Sequence, residues 1–467
     1  MPRTKIVCTI GPASQSPGVL RDLIQSGMSV ARLNFSHGSH EEHGEKIGLI
    51  RQTANALGKP VAILQDLCGP KIRVGRIDGQ GIALVPGKPF VLTNRSGECG
   101  QSMACLSYPS LPSEVNPGDR ILLADGMMEL VVQRTTDTDI LCEVITGGIL
   151  TSHKGINLPD GTIKAPALTE KDRLDLEFGI DRGVDMVALS FVRRPEDILQ
   201  VKAIIAKAGK TTPVVAKIEK HEAIVNMEAV IDAADAIMVA RGDLGVEVPL
   251  ENVPLIQKEL IRKANLMGKP VIIATQMLRS MVESPRPTRA EAADVANGVL
   301  DGADAIMLSE ETASGNYPVQ AVQYMARIAE KTEERYPHGK YLDLMPRRDM
   351  SDSVAHAACV LAHDLNAAAI VATSKSGATA MHIASFRPRT RIIALSPDDG
   401  AVRRMALSWG IIPCHLAISQ DTDEMIEKAA EAALETGHVQ KGDRVIITAG
   451  RPIWAAGTTN MLWVKTL

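Results

Sequence analysis

Eight short runs of β-branched and apolar residues, at 5–9, 30–35, 61–66, 186–191, 214–218, 236–240, 271–275 and 305–308, alternate along the chain with stretches of helical period. Continuous apolar runs belong to strands buried on both faces, as in a parallel sheet joined by crossover helices. Strict alternation of eight predicts a closed (β/α)8 TIM barrel rather than an open doubly wound sheet. The third and fourth runs are too far apart for one βα unit. Their interval carries turn signals at Pro86-Gly87, Pro117-Gly118 and Asp125-Gly126 and an alternating run at 120–123. It predicts a β-barrel-like lid domain inserted at residues 70–167, which leaves 1–69 and 168–345 to the TIM barrel. After Pro346-Arg347-Arg348, further runs at 368–373, 391–395, 411–416 and 444–448 predict a C-terminal α/β domain, 346–467.

Barrel sites are built at the carboxyl ends of the strands, and the polar residues gather there. Strand two closes on Arg32, Asn34 and Ser36, strand three on Asp66, and strand five carries Lys217 and Glu219. Strand six runs into Arg241-Gly242-Asp243, strand seven ends at Thr275 and strand eight at Ser309. Residues two apart share a face, so Lys217 and Glu219 both point into the barrel, where Asp243 from the next strand converges. Two carboxylates among hydroxyls, with no Cys or His nearby, suit Mg²⁺, whose other ligands are waters and a phosphorylated or carboxylated substrate. The alternative is a buried Lys217–Glu219 or Lys217–Asp243 ion pair that only specifies packing. Arg32 and Arg73 are forked donors for phosphate or else surface charges, and Gly242 lets the N–H groups beside it approach a carboxylate.

Charge narrows the partners. Lys+Arg 51 against Asp+Glu 55 gives a net charge of −4 over 467 residues, and aromatics are 3%, so neither electrostatics nor base stacking argues for nucleic acid. No apolar run has the length of a membrane span, and the amino terminus enters a strand-like run with no room for a secretion signal. Seven cysteines without a C-x-x-C pair are the usage of a reducing compartment, which predicts a cytoplasmic protein. His37, His40 and His43 mimic a metal cluster, but a helix starting near Ser39 spreads them over a solvated face. Gly209-Lys210-Thr211 ends like a phosphate loop, yet Ile204 stands where its first glycine belongs. The loop Thr373-Ser374-Lys375-Ser376-Gly377-Ala378-Thr379 sets hydroxyls and a turn ahead of a helix, either for phosphate or as an ordinary N-cap.

Longer motifs carry a resemblance. Ala31-Arg32-Leu33-Asn34-Phe35-Ser36-His37-Gly38, Lys217-Ile218-Glu219, Met238-Val239-Ala240-Arg241-Gly242-Asp243-Leu244-Gly245-Val246-Glu247 and Ala274-Thr275-Gln276-Met277-Leu278 resemble the pyruvate kinase family. Lys154-Gly155-Ile156-Asn157-Leu158-Pro159 and Pro285-Arg286-Pro287-Thr288-Arg289-Ala290-Glu291 extend the resemblance over essentially the whole chain. It implies phosphoryl transfer from phosphoenolpyruvate to ADP, giving pyruvate and ATP. On that resemblance Glu219 and Asp243 hold Mg²⁺, Lys217 offsets charge on the phosphoryl group and the enolate, and Gly242, Asp243 and Thr275 seat the carboxylate. A water near Thr275 and Ser309 protonates the enolate. The resemblance implies that Arg32 and Arg73 grip phosphates and that Asn34, His37, Arg73 and Lys154 bind the nucleotide, Lys154 arriving as the lid closes.

Departures from the family pattern sharpen the expectations. Many members bind K⁺ at positions equivalent to Asn34, Ser36, Asp66 and Leu67. Here Lys71 puts a tethered ammonium where those members carry a carboxylate, which resembles the K⁺-independent branch and predicts that K⁺ is not obligatory. A merely solvated Lys71 is the alternative. Glu310 replaces the usual Gly or Ala and either perturbs the pocket floor or faces solvent. Ser374, Lys375, Ser376, Gly377 and Thr379 resemble the family's effector loop, and the acidic segment Ser419-Gln420-Asp421-Thr422-Asp423-Glu424 favours a monophosphate effector, a sugar monophosphate or AMP. The resemblance also implies a homotetramer, joined around residues 286–297 and through the C-terminal domains. Two readings compete: a Mg²⁺-dependent enolate lyase or aldolase, which needs neither ADP nor Lys154, and a metabolite-binding regulator, which survives the loss of Lys217.

Overall fold

All eight runs take their places in one ring. In a computed structural model describing residues 2–95, 100, 102–159, 161, 164–343, 349–454 and 458–467, the strands Lys5–Thr9, Met28–Asn34, Ala62–Asp66, Met186–Leu189, Val214–Ile218, Ala236–Ala240, Val271–Ala274 and Ala305–Leu308 form a closed parallel barrel. The first strand closes it, with Lys5 in register with Ala305 on one side and Val7 with Val30 on the other. Cys99 and the Pro346-Arg347-Arg348 run lie outside the described residues.

The barrel interior is filled by Val7, Val30, Leu64, Val215, Met238 and Met307, among others, and two residues from far along the chain, Ala406 and Leu407, belong to the same apolar cluster. They arrive at the amino-terminal end of the strands. There the Trp409 N–H donates to Asp304 Oδ1 at 3.0 Å, and Arg403 Nε reaches Asp185 Oδ1 at 2.8 Å. Arg387, 1% exposed, sends Nη1 to Asp304 Oδ1 and Nη2 to Oδ2, both at 2.8 Å, and also meets Asn265 Oδ1 and the Gly302 carbonyl. A forked guanidinium on a carboxylate is the geometry that makes such a buried pair tolerable.

Between the third and fourth barrel strands lies an open six-stranded sheet ordered Ile156–Asn157, Arg120–Leu123, Met128–Thr135, Asp139–Thr146, Pro89–Thr93, Met103–Cys105, with a two-stranded ribbon of Ile82–Leu84 and Gly148–Leu150. Alternation puts Leu92, Ile121, Leu130, Ile140 and Cys142 into its own core. Asp172 ties the two connections. As the third residue of helix Glu170–Asp181 it accepts the Thr169 N–H at 3.0 Å in a capping box, and its other oxygen accepts the Gly69 N–H at 3.1 Å.

Beyond residue 349 a five-stranded sheet runs Ile411–His415, Arg391–Ser396, Ala369–Thr373, Arg444–Gly450, Thr459–Thr466. The first four are parallel and were expected; the last is antiparallel and was not. It is an edge strand with Trp463 and Val464 half exposed, so it carries no buried apolar run for a pattern search to find.

Candidate active site

Charge collects at the carboxyl ends of strands two to six. Lys217 Nζ lies 3.3 Å from Glu219 Oε2 and 3.5 Å from Asp66 Oδ1, and both carboxylate side chains are 1% exposed. Arg32 completes the cluster, Nε 2.7 Å from Asp66 Oδ2 and Nη1 2.9 Å from Thr9 Oγ1. Burial works against charge here, and the neighbours decide the outcome. Against its own burial, Asp66 is held below the usual carboxylate range by Lys217 and Arg32. Burial likewise opposes the Lys217 ammonium, which Asp66 and Glu219 nevertheless keep above its ordinary value, so it stays protonated. For Glu219 burial wins: its carboxyl is raised despite Lys217, and the nearby Asp243 charge raises it further.

Asp243 corrects one expectation. It sits on a short helix, Arg241–Glu247, that springs directly from strand Ala236–Ala240, rather than on the strand itself. The Gly242 N–H on that helix donates to Thr275 Oγ1 at 2.8 Å, and Thr275 and Gln276 hold left-handed backbone, φ 70° and 56°. A cleft of about 760 Å³ opens over these residues; Arg32, Asn34, His37, Asp243, Thr275 and Ser309 contribute to its lining.

The donor set fits a hard divalent ion. Glu219 Oε2 is buried and accepts no hydrogen bond, its Lys217 neighbour lying 3.3 Å off, which leaves lone pairs for a cation, and Asp243 stands near enough to raise its neighbour's pKa. Among the described residues the three-donor cluster of His, Cys, Asp or Glu is elsewhere, at His221, Glu222 and Glu247, where Lys220 Nζ at 2.7 Å from Glu247 Oε2 already supplies a cation.

Other expected residues are placed differently. Lys71 Nζ meets Asp243 Oδ1 at 3.2 Å and, across from the inserted sheet, Asp125 Oδ1 at 3.9 Å, not Asp66. Of the four K⁺ positions, three have donors: Asn34 Oδ1 takes the Ser36 N–H at 3.1 Å, Asp66 takes Arg32, and the Leu67 carbonyl takes the Ser190 hydroxyl at 2.7 Å. Ser36 itself is half-buried. Arg73 and Lys154 do not line the cleft; Arg73 Nη1 donates to the His153 carbonyl at 3.0 Å and Lys154 is exposed. Glu310 faces the rim, where it pairs with Arg279 at 3.1 Å and is 59% exposed. The solvated histidine face holds for His37 and His40, both exposed, and fails for His43. His43 is 3% exposed and stacks on Phe35 with ring centroids 3.9 Å apart, while His40 stacks on Phe178 at 4.3 Å and meets Asp175 Oδ1 at 2.7 Å. Burial lowers the His43 pKa, the His37 carbonyl that its Nε2 meets at 2.8 Å notwithstanding, so the ring stays neutral.

In the C-terminal sheet, Gly377 at φ 86° turns the Ser374–Thr379 loop into helix Ala378–Ser385. The Ser374 and Ser376 hydroxyls accept the N–H groups of Gly377 and Ala378 at 3.2 and 3.4 Å, so capping is one of their tasks, and Thr379 Oγ1 pairs with Thr459 Oγ1 at 2.6 Å. Lys375, His382 and Trp454 line a small cavity beside the loop. Sequence reasoning missed Trp454, Thr9 and Ser190. Each is a single neutral side chain that no local motif flags.

Residues 1–322 match the family model described as pyruvate kinase, barrel domain, and residues 352–465 the model described as pyruvate kinase, alpha/beta domain. The chain is 50% identical to Pyruvate kinase 2 of Synechocystis sp., over 100% of its own length and 79% of that relative's. It is 43% identical to the Pyruvate kinase of Clostridium acetobutylicum over 100% of both, and 45% identical to that of Geobacillus stearothermophilus over 100% of its own length and 80% of the relative's.

Proposed function

The chain belongs to the pyruvate kinase family, and from that premise we propose how its own residues carry the reaction. It is a phosphotransferase of glycolysis, moving the phosphoryl group of phosphoenolpyruvate to ADP to give pyruvate and ATP. The observation that carries the assignment of roles is the Lys217 ammonium, kept protonated between Asp66 and Glu219 at the base of the strand ends. In our reading it lies against the phosphoryl group, offsetting charge there and on the enolate left behind. Arg32, pinned by Asp66 and Thr9, presents its remaining donors to the same group. Glu219 and Asp243 would hold Mg²⁺, which polarises phosphoryl oxygens and offsets their charge when bound. Gly242, Asp243 and Thr275 seat the substrate carboxylate, and Ser309 with Thr275 orders the water that protonates the enolate.

Residues 70–167 act as the lid and 346–467 as the regulatory unit in this reading. Asn34 and His37 meet the nucleotide on the barrel side, and Lys154 and Arg73 reach its phosphates only as the lid closes and sheds water. Cytoplasmic residence is supported by six free cysteines among the described residues, and a homotetramer by the half-exposed Trp463 and Val464 on a free sheet edge.

Lys71 makes K⁺ dispensable. Its ammonium brings fixed positive charge to the Asp243 carboxylate, and three of the four K⁺ positions already have donors. Pyruvate release from phosphoenolpyruvate, ADP and Mg²⁺ in buffer freed of K⁺ and NH₄⁺ is expected at full rate, and Lys71→Glu is expected to turn over only after K⁺ is added. Wild-type turnover that waits for K⁺ removes this role from Lys71. No turnover by folded protein in either buffer returns the lyase and regulator readings.

The effector is a monophosphate, a sugar monophosphate or AMP, held by the Ser374–Thr379 loop with Lys375. Glucose 6-phosphate or AMP is expected to raise the melting temperature of the wild type and not of Lys375→Glu. An equal rise in both, or none in the wild type, places the effector elsewhere.

A further inference from the structure

Ser190 follows the fourth barrel strand, Met186–Leu189, and is 1% exposed. Its Oγ lies 2.6 Å from Lys217 Nζ and 2.7 Å from the Leu67 carbonyl oxygen. An ammonium only donates and a carbonyl only accepts, so Nζ–H points to Oγ and Oγ–H to Leu67, with Asp66 Oδ1 at 3.5 Å the farther acceptor. The hydroxyl proton is thereby turned away from Lys217 and the lone pairs toward it. The two carboxylates around the ammonium stand farther off, Glu219 at 3.3 Å and Asp66 at 3.5 Å. They act chiefly through charge at this longer range. Among the described residues the one contact of ordinary hydrogen-bond length on Nζ is therefore a neutral oxygen.

The residue after it does the complementary task. Phe191, at φ 56°, donates its N–H to Glu219 Oε1 at 2.7 Å. One two-residue turn thus fixes the ammonium through a side chain and the carboxylate through the backbone. The turn needs Gly69 beneath it: a Cβ there would stand 2.6 Å from Phe191 Cδ2 and 3.1 Å from Ser190 Cβ.

We propose that Ser190 is a positioning residue for phosphoryl transfer, aiming the Lys217 ammonium by accepting one of its protons while neutralising none of its charge. Two N–H bonds then remain for the phosphoryl group, and Ser190 itself takes none of the positive charge. A lysine held only by two loose carboxylates swings between them, and a displacement of about 1 Å at a reacting group costs on the order of 100-fold. The inference rests on the role assigned to Lys217 above, and the test separates the two.

Ser190→Ala is expected to lower kcat about 10- to 100-fold with KM for phosphoenolpyruvate little changed, and Ser190→Thr, which keeps the acceptor, to retain most of the turnover. In a Lys217→Met background the same Ser190→Ala substitution is expected to cost nothing further. An equal loss in both backgrounds makes Ser190 a packing residue and overturns the proposal while Lys217 keeps its role. Full turnover by Lys217→Met removes the role of Lys217 and the proposal with it. Unfolding midpoints of all variants separate aim from stability. Ser190→Cys, which keeps the volume and loses the acceptor, carries the same cycle if the alanine variant does not fold.

Discussion

Lys217→Met turns over on the order of 1,000-fold more slowly than the wild type at saturating phosphoenolpyruvate, ADP and Mg²⁺, a loss of about 4 kcal/mol of transition-state stabilisation. The reason is the contrast between the side chain and its seat. Methionine matches the length of the lysine stem, so packing survives, but the charge that Asp66 and Glu219 hold in place is gone. Asp66 keeps Arg32 and stays ionised; Glu219 keeps only the Phe191 N–H, and its pKa, already raised by burial, climbs further. A carboxylate with a raised pKa must lose its proton to bind a cation. The Mg²⁺ concentration for half-maximal rate in the variant therefore rises as pH falls, more steeply than in the wild type. Lys217→Arg does not rescue, because a planar fork cannot reproduce a point charge seated on one hydroxyl. Steady-state rates beside a pH series of Mg²⁺ titrations check both statements. Turnover within tenfold of the wild type sinks the assignment.

Arg387→Met has the largest expected effect on stability, about 3–5 kcal/mol, because it strands a buried carboxylate. Asp304 faces Arg387 at two points and also receives the N–H groups of Trp409 at 3.0 Å and Val271 at 3.0 Å, so it cannot turn out to water. Changing both partners, Arg387→Met with Asp304→Asn, recovers much of the loss, since no charge is then left alone. A chain with several cores does not unfold in one step, so the measurement is the midpoint of the transition reported by Trp409 fluorescence. A loss under about 1 kcal/mol in the single variant makes the pair an ornament of the interface and not a support.

The barrel was legible because its strands are buried on both faces and end in charge. Lys217 and Glu219 were legible for a simpler reason, since a spacing of two fixes a shared face in any strand. What the local pattern does not encode is reach across the barrel mouth. Lys71 is read as a tethered cation with no partner named, and its long stem carries the ammonium to Asp243 after strand six. His43 was misjudged because helical period tells which residues share a face and not what covers it, here Phe35. Ser190 was invisible for a third reason: a lone serine after an apolar run is a common strand ending, and its task appears only when Lys217 stands 2.6 Å away. The pairing of Arg387 with Asp304 spans 83 residues and no motif.

Ala406 and Leu407 complete the barrel's interior although they are encoded after the barrel has ended. The catalytic ring is thus not a transferable module with a regulatory unit bolted on. A gene cut between the two and joined to a relative's second half inherits a foreign floor for its first, and the residues that must be matched across such a graft are those at 406 and 407 and the interior barrel residues of the same cluster.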